Sequence, residues 1–455
     1  MHFNRLLARS WIDINMKLPF LTCLCLLLLL FMQMLQGQVI HEYMDLQCHP
    51  TMHIAHSNFD PGLTYFDEKD PPKLTYKHKF KNVNYANYWE DNPGCRIFVI
   101  GFMTKERIRD REKARSVILE QITYVEKFVE QHADKFAIAK SPGEVRSLVT
   151  QTQKTIILYS LEGAKSLVGS EEDAKFWASK GISFITLIHM VDSELGGSAI
   201  RPGFIFKLIN LKGALRSKKK RGLTELGKNA IQWLANAGIM TDLSHMSDST
   251  RKDALDLMME RGIPPIATHD AFKPIQNMQR AISAEDVIRI YQAHGFMSLP
   301  LSGISLKPYH PEKKYQDLLD QQTNYCDGSV DTYRFTYEAL KIFIAENIGL
   351  IFNNNHKTIN NLTADERIDL SIGFQSDFNG WVNHSRPRYG KKGCFKTSPD
   401  NVYEAIETQG LAHPGLLESQ WNWMTKENVD LDPILNASEK FLRVWEYVIE
   451  HKGKF

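Results

Sequence analysis

Eight short apolar runs alternate along this chain with longer amphipathic stretches, and that alternation constrains the fold more than any other feature. The runs are Tyr43 to Leu46, Ile97 to Phe102, Thr155 to Leu161, Ser183 to Ile188, Gly238 to Leu243, Pro265 to Thr268, Gly295 to Leu299 and Leu370 to Phe374. Patterns of helical period lie between several of them, among them Glu106 to Gln131, Thr224 to Ala237 and Ser249 to Arg261. A strand followed by a crossover helix brings the chain back parallel to itself, so repeated units of this kind specify a parallel sheet. Eight such strands in one α/β chain predict a closed (β/α)8 barrel of the TIM type. Asn58 to Pro93 and Ser302 to Tyr333 interrupt the alternation with polar residues and read as long loop insertions.

The N-terminus has a different character. Pro19 to Met34 is apolar almost throughout; Arg5, Arg9 and Lys17 precede it, and Gln36-Gly-Gln38 follows. Those flanks are those of a secretory signal, and the run falls short of the ~20 apolar residues of a permanent span. Residues 1–38 are therefore read as a signal peptide, or as a signal anchor that attaches the protein to a membrane, and 39–455 as one barrel domain. The expected location is outside the cytoplasm: secreted, periplasmic or membrane-anchored.

A net charge of +2 offers no basic field for nucleic acid. The one dense basic run, Lys218 to Arg221, reads as a solvated loop. Cys48, Cys95, Cys326 and Cys394 remain after the apolar segment, in no metal-type spacing, which excludes a zinc ribbon. Export would allow them to pair, and Cys326 and Cys394, both in polar stretches, are the first pair to expect.

Polar residues recur where the strands end. Gln47-Cys-His49 closes the first run, Glu162 the third, His189 the fourth, His245 the fifth and His269 the sixth, and Asp377 follows the eighth. A lone histidine in such a place ordinarily caps or edges a core, and Asp377 before Asn379-Gly380 could make an Asx-turn. Those ordinary roles do not require all six to fall at strand C-termini, whereas a barrel builds its active site there. Histidines and carboxylates on one rim make a divalent-metal composition. Two adjacent ions need a bridging anion such as a carboxylate, and water held between them becomes a hydroxide near neutral pH.

These segments resemble the membrane dipeptidase (renal dipeptidase) family, zinc peptidases with an amidohydrolase-like barrel. The resemblance is carried by Asp45-Leu-Gln-Cys-His-Pro50, Leu161-Glu-Gly-Ala164, Leu187-Ile-His-Met190, Glu194-Leu-Gly-Gly-Ser198, Thr241-Asp-Leu-Ser-His-Met-Ser247, Ala267-Thr-His-Asp270 and Ile372-Gly-Phe-Gln-Ser-Asp-Phe-Asn-Gly380, in that order. It implies a metal-dependent dipeptidase that cleaves short peptides through a metal-bound hydroxide, with one or two zinc ions as cofactor. Glu162 would bridge two ions, His245 and His269 would hold one, and Gln47 and His49 stand where the family holds the other. His189 would lie beside the scissile group, Arg280 would grip the substrate carboxylate, and Asp377 would act on the bridging water. The implied partner is a dipeptide; the sequence leaves a homodimer open.

Gln47 departs from the family pattern, which has His there, and an amide oxygen is a poorer zinc ligand than imidazole. The second ion is therefore expected to be weak or absent; His53 and His56, which ordinarily read as loop histidines, are close enough in sequence to compensate. Two further readings follow: a one-metal or inactive barrel that binds ligands without turnover, and a different amidohydrolase-like reaction such as deamination or lactone hydrolysis. Retention of Glu162, His189, His245, His269, Arg280 and Asp377 favours the enzyme.

Overall fold

Each of the eight apolar runs forms a strand. In the computed structural model they are β1 (Met44–Cys48), β2 (Ile97–Met103), β4 (Thr155–Glu162), β5 (Ile182–Thr186), β6 (Met240–Asp242), β7 (Ile266–Ala267), β8 (Phe296–Pro300) and β9 (Ile372–Gln375). The structure describes residues 39–55, 92, 94–200, 207–208, 210–215, 221–303, 305–380, 382–397 and 404–455. The signal expected within residues 1–38, and nearly all of the expected loop from 58 to 93, lie outside them. Among the described residues no helix is long and apolar enough to cross a membrane. The barrel belongs to the unit His41–Phe455.

All pairings between strands are parallel, in the order β2-β1-β9-β8-β7-β6-β5-β4, and β2 pairing with β4 closes the ring. This is the expected (β/α)8 barrel. Every residue of the eight strands is buried, inside the ring or under the helices, so the strands read as continuous apolar runs with no alternation. A ninth strand, β3 (Phe136–Ile138), was not expected. It pairs with Thr155 to Ile157 at the start of β4, while β5 takes the same strand from Tyr159 to Glu162. Three residues are too few to carry a period, which is why the sequence does not announce it.

The crossover helices begin where side chains can satisfy free backbone N–H groups. Asp110, Ser141, Ser170, Thr224, Ser247 and Ser283 each accept a hydrogen bond from the third residue of the helix that follows. Two of these helices stop at glycines in the left-handed region, Gly238 (φ 86°) and Gly262 (φ 66°). The C-terminal helix Asp432–Glu450 seals the bottom of the barrel. Its Phe441 meets the rings of Phe184 and Phe296 edge-on, and Trp445 Nε1 donates to Gly238 O ahead of β6.

The stretch from Ser302 to Tyr333 is not the structureless loop expected. It contains the helix Lys313–Asp320 and the first turn of Val330–Glu346. Cys326 is disulfide-bonded to Cys394, tying this insertion to the chain after β9 across 68 residues. Cys48 and Cys95 are free and buried. Asn361-Leu-Thr363, Asn383-His-Ser385 and Asn436-Ala-Ser438 have the sequence form of glycosylation sites; Asn361 is exposed and Asn383 partly so, while Asn436 is buried in the C-terminal helix.

Candidate metal centre and active site

The site is built from the ends of β1, β4, β5, β6, β7 and β9. Glu162 is the last residue of β4, and its buried carboxylate stands at the centre. One oxygen, Oε1, lies 3.2 Å from His245 Nε2, 3.2 Å from His269 Nε2 and 3.6 Å from His189 Nε2. The other, Oε2, lies 3.4 Å from His49 Nε2. His49 Nε2 is in turn 3.0 Å from Asp377 Oδ1 and 3.3 Å from Gln47 Nε2. The structure thus brings together seven of the eight site residues singled out in the sequence.

Arg280, the eighth, is buried on the same rim. Its guanidinium pairs with the buried Asp270, and its charge acts on both His189 and His245. Arg280 Nε is buried without a hydrogen-bond partner, which leaves a donor available to a ligand. His56 lies outside the described residues, and only the backbone of His53 is described.

Two buried aspartates fix the strand ends. At β5, β6 and β7, Asp242 Oδ2 accepts from Thr186 Oγ1 (2.6 Å) and Thr268 Oγ1 (2.7 Å), and Oδ1 from the amides of Ser244 and Thr268. Thr268 Oγ1 also lies 2.7 Å from His269 Nδ1, orienting that ring. At β1 and β9, Asp45 Oδ1 accepts from the amides of Gln47 and Ser376, and Oδ2 from Ser376 Oγ. Burial pushes the Asp45 carboxyl up to about 7 in spite of those bonds. Backbone hydrogen bonds from Asp377 N to Gln47 O and from His49 N to Phe378 O join the loop after β9 to the end of β1.

Some backbone here is strained. His245 (φ 68°) and Asp377 (φ 56°) both occupy the left-handed region, which costs a side-chain-bearing residue ~1 kcal/mol or more. Gly101 in β2 solves a different problem: a Cβ there would stand 2.9 Å from His49 Cε1 and 3.2 Å from Gln47 Cγ. Its carbonyl accepts from His49 Nδ1 at 2.7 Å, leaving Nε2 to face Glu162.

The electrostatics are those of a cation site. Burial alone would raise Glu162, but His189, His245, His269 and His49 hold it well below the usual carboxylate range. Burial, with Arg280 and His189, pushes His245 well below the ordinary imidazole value. Burial also works against charge on His49, yet Asp377 and Glu162 outweigh it and raise the ring to about 9. Among the described residues, Glu162, His245 and His269 form a metal-competent cluster, with their donor atoms all within 4.8 Å of one another. His269 Nε2 is buried and has no hydrogen-bond partner. A buried imidazole nitrogen with no hydrogen bond, 3.2 Å from a carboxylate oxygen, suits the ligand set of a divalent ion. Opposite, Gln47 Oε1 is also buried and unpartnered, a weaker donor beside His49 and Glu162 Oε2.

Four carboxylates of this architecture had no role in the sequence reading. Asp45, Asp242 and Asp270 lie within the quoted motifs, whose order was a signal without an assignment. Glu106, whose Oε1 lies 2.7 Å from His189 Nδ1, sits between Lys105 and Arg107 like any solvated charge.

Residues 53–364, more than half of the chain, match the family model of the membrane dipeptidases, peptidase family M19. That span contains Glu162, His189, His245, His269 and Arg280, and leaves out Gln47, His49 and Asp377. The chain is 25% identical over 228 residues to dipeptidase 3 of Rattus norvegicus, covering 48% of this chain and 43% of that protein. It is 20% identical over 216 residues to an uncharacterized dipeptidase of Schizosaccharomyces pombe, covering 48% of each. The match thus spans about half the length of these curated relatives. Among solved structures, the fold superposes on a metallopeptidase of family M19, dipeptidase AC, with TM-score 0.60 and 15% identity over 90% of this chain and 99% of that one. A metallopeptidase from Rhodobacter sphaeroides, solved with a phosphinate mimic of the dipeptide L-Ala-D-Ala, gives TM-score 0.59 and 14% identity over 90% and 99%.

Proposed function

This chain belongs to the membrane dipeptidase family, peptidase family M19, and on that premise we propose that it hydrolyses the peptide bond of dipeptides outside the cytoplasm with a divalent metal ion, zinc by the nature of its donors. The observation that carries the reading is the convergence of Glu162, His245 and His269 on one point, with the buried His269 Nε2 otherwise unused. Two imidazoles and a carboxylate with a coordination position left open suit zinc. Bound there, the ion supplies a Lewis acid and an acidified water.

The chain's own residues have separable tasks. Arg280, held by Asp270, offers its free Nε to the terminal carboxylate of the dipeptide. His189, with Nε2 toward Glu162, stands beside the position of the scissile group and helps to orient it. Asp377, 16% exposed at the mouth of the site and fixed through its backbone to Gln47, is placed to take the proton of the attacking water and return it to the leaving amine.

Location outside the cytoplasm rests on the signal-like N-terminus and on the Cys326–Cys394 bond, which suits an oxidising compartment. The retained N-terminal segment would also serve as the route to a membrane.

Gln47 favours a second reading, a one-ion or non-catalytic barrel that binds peptides. On that side, among the described residues, the strong donors are His49 Nε2 and the carboxylates of Glu162 and Asp377, and His49 and Asp377 are already engaged with each other. Metal content per chain, measured with hydrolysis of a panel of L,L- and L,D-dipeptides by the purified mature protein, separates the two. Bound metal with turnover supports the enzyme. Dipeptide affinity without turnover, with or without bound metal, supports the binding barrel, and a protein with neither turnover nor dipeptide affinity rejects both.

A further inference from the structure

Glu106 enters the site from an unexpected direction. It lies three residues beyond β2, and β2 runs beside β4 so that Met103 is paired with Glu162. The exit of β2 therefore delivers Glu106 to the same rim. There its Oε1 accepts from His189 Nδ1 at 2.7 Å and from the backbone N–H of Met190 at 3.3 Å. The backbone of Glu106 is itself tied down: Lys165 Nζ, three residues beyond Glu162, donates to its carbonyl. One residue thus connects the loops after β2, β4 and β5, the first to the last through its carboxylate and to the loop after β4 through its backbone carbonyl.

The rest of the ring's surroundings complete the clamp. A Cβ on Gly163 would stand 3.2 Å from His189 Cβ, so the base of the side chain lies against bare backbone. Ser198 Oγ donates to the His189 carbonyl. The ring packs edge-on against His245 with centroids 4.5 Å apart. With Nδ1 committed to Glu106, Nε2 is the ring nitrogen that faces Glu162 Oε1. Surface ion pairs contribute little, but the His189 side chain is 8% exposed and Glu106 24%, so this pair holds a buried ring in place.

We propose that Glu106 is a positioning residue for His189, fixing its orientation and placing the proton on Nδ1 so that Nε2 is presented to the substrate. The proposal rests on the dipeptidase reading for its kinetic consequence, although the tautomer does not depend on turnover. A carboxylate that orients a working histidine sets its tautomer through the nitrogen it holds.

The test uses the full mature protein with Glu106→Ala, Glu106→Gln, His189→Ala and the double variant Glu106→Ala/His189→Ala. Glu106→Ala should lower kcat/KM about 10–100-fold, mainly in kcat, as expected for a misplaced group, and leave metal content per chain unchanged. Glu106→Gln, whose amide oxygen still accepts, should recover part of the loss. In the double variant the Glu106 change should add nothing to His189→Ala. Imidazole nitrogen NMR should show Nδ1–H for His189 in the wild type and in Glu106→Gln, and lose that signature in Glu106→Ala. Additive losses in the double variant, loss of metal, or an Nε2–H tautomer in the wild type would each overturn the proposal. If the wild type turns over no dipeptide, the dipeptidase reading fails and the NMR result alone decides the role of Glu106.

Discussion

The two oxygens of Glu162 face different worlds. Beyond Oε1 stand His245, His269 and His189, three imidazoles from three strand ends, within a span that matches the family model. Beyond Oε2 stand His49, Gln47 and Asp377, all outside that span, with His49 already paired to Asp377. On the first side a buried nitrogen has no partner and waits for an ion; on the second the orphan is a neutral amide oxygen. The same carboxylate therefore offers a good cation site and a poor one. Affinity follows from how many strong donors converge and not from how many polar groups are near.

The largest effect should come from removing what the two sides share. Glu162→Gln replaces the anion by an amide and should abolish both metal binding and turnover, with kcat/KM falling about a thousandfold or more, the scale of losing a member of a catalytic unit. Metal analysis of the purified variant checks this, and full metal retention would show that the carboxylate is not the centre of the site.

Next come the sides taken singly. His245→Ala should strip the ion from a protein that otherwise holds on the order of one per chain, while His49→Ala should keep that ion and still lose activity. Equal metal loss in both variants would erase the asymmetry between the two oxygens.

Gln47→His should sharpen the comparison by repairing the poor side. A nitrogen donor in this position should tighten the second ion by roughly 10–100-fold, so activity should saturate at a lower concentration of added zinc, cobalt or manganese than in the wild type. Superimposable titrations for the two proteins would show that the second position has no part in catalysis.

The smallest effect concerns stability around Oε2. His384 Nε2 donates to Ser376 O, its ring lies 4.4 Å from that of Phe378, and burial depresses its pKa to about 4. A folded-state value below the unfolded one near 6.5 gives stability that is complete above pH 6.5 and lost as pH falls toward 4, because only the unfolded chain takes up the proton in that window. The cost by pH 5 should be about 2 kcal/mol. His384→Asn, though less stable at neutral pH through lost packing, should show a shallower decline in urea-melt stability between pH 7 and 5. An unchanged slope would place the acid sensitivity elsewhere.

The barrel and the strand-end residues could be read from the sequence because both are local signals. An apolar run of strand length followed by an amphipathic helix specifies a β/α unit wherever it occurs, and eight of them close. Glu162, His189, His245, His269 and Asp377 stand at or just after those runs, so their convergence follows from the topology before any coordinate is known. The substitution at Gln47 was equally legible. What the tertiary structure decided is everything that depends on partners distant along the chain. Glu106 reaches His189 across 83 positions, Asp45 reaches Ser376 across 331, and Cys326 reaches Cys394 across 68. The helical period takes in Glu106 as the first residue of Glu106 to Gln131, whereas the helix begins only at Arg111; for a glutamate between two basic residues and with no flanking signature, nothing local separates a solvated charge from a partner of His189. Only closure of β2 onto β4 puts Glu106 at the rim, and only the fold shows that Glu162 faces three imidazoles through one oxygen and a single engaged one through the other.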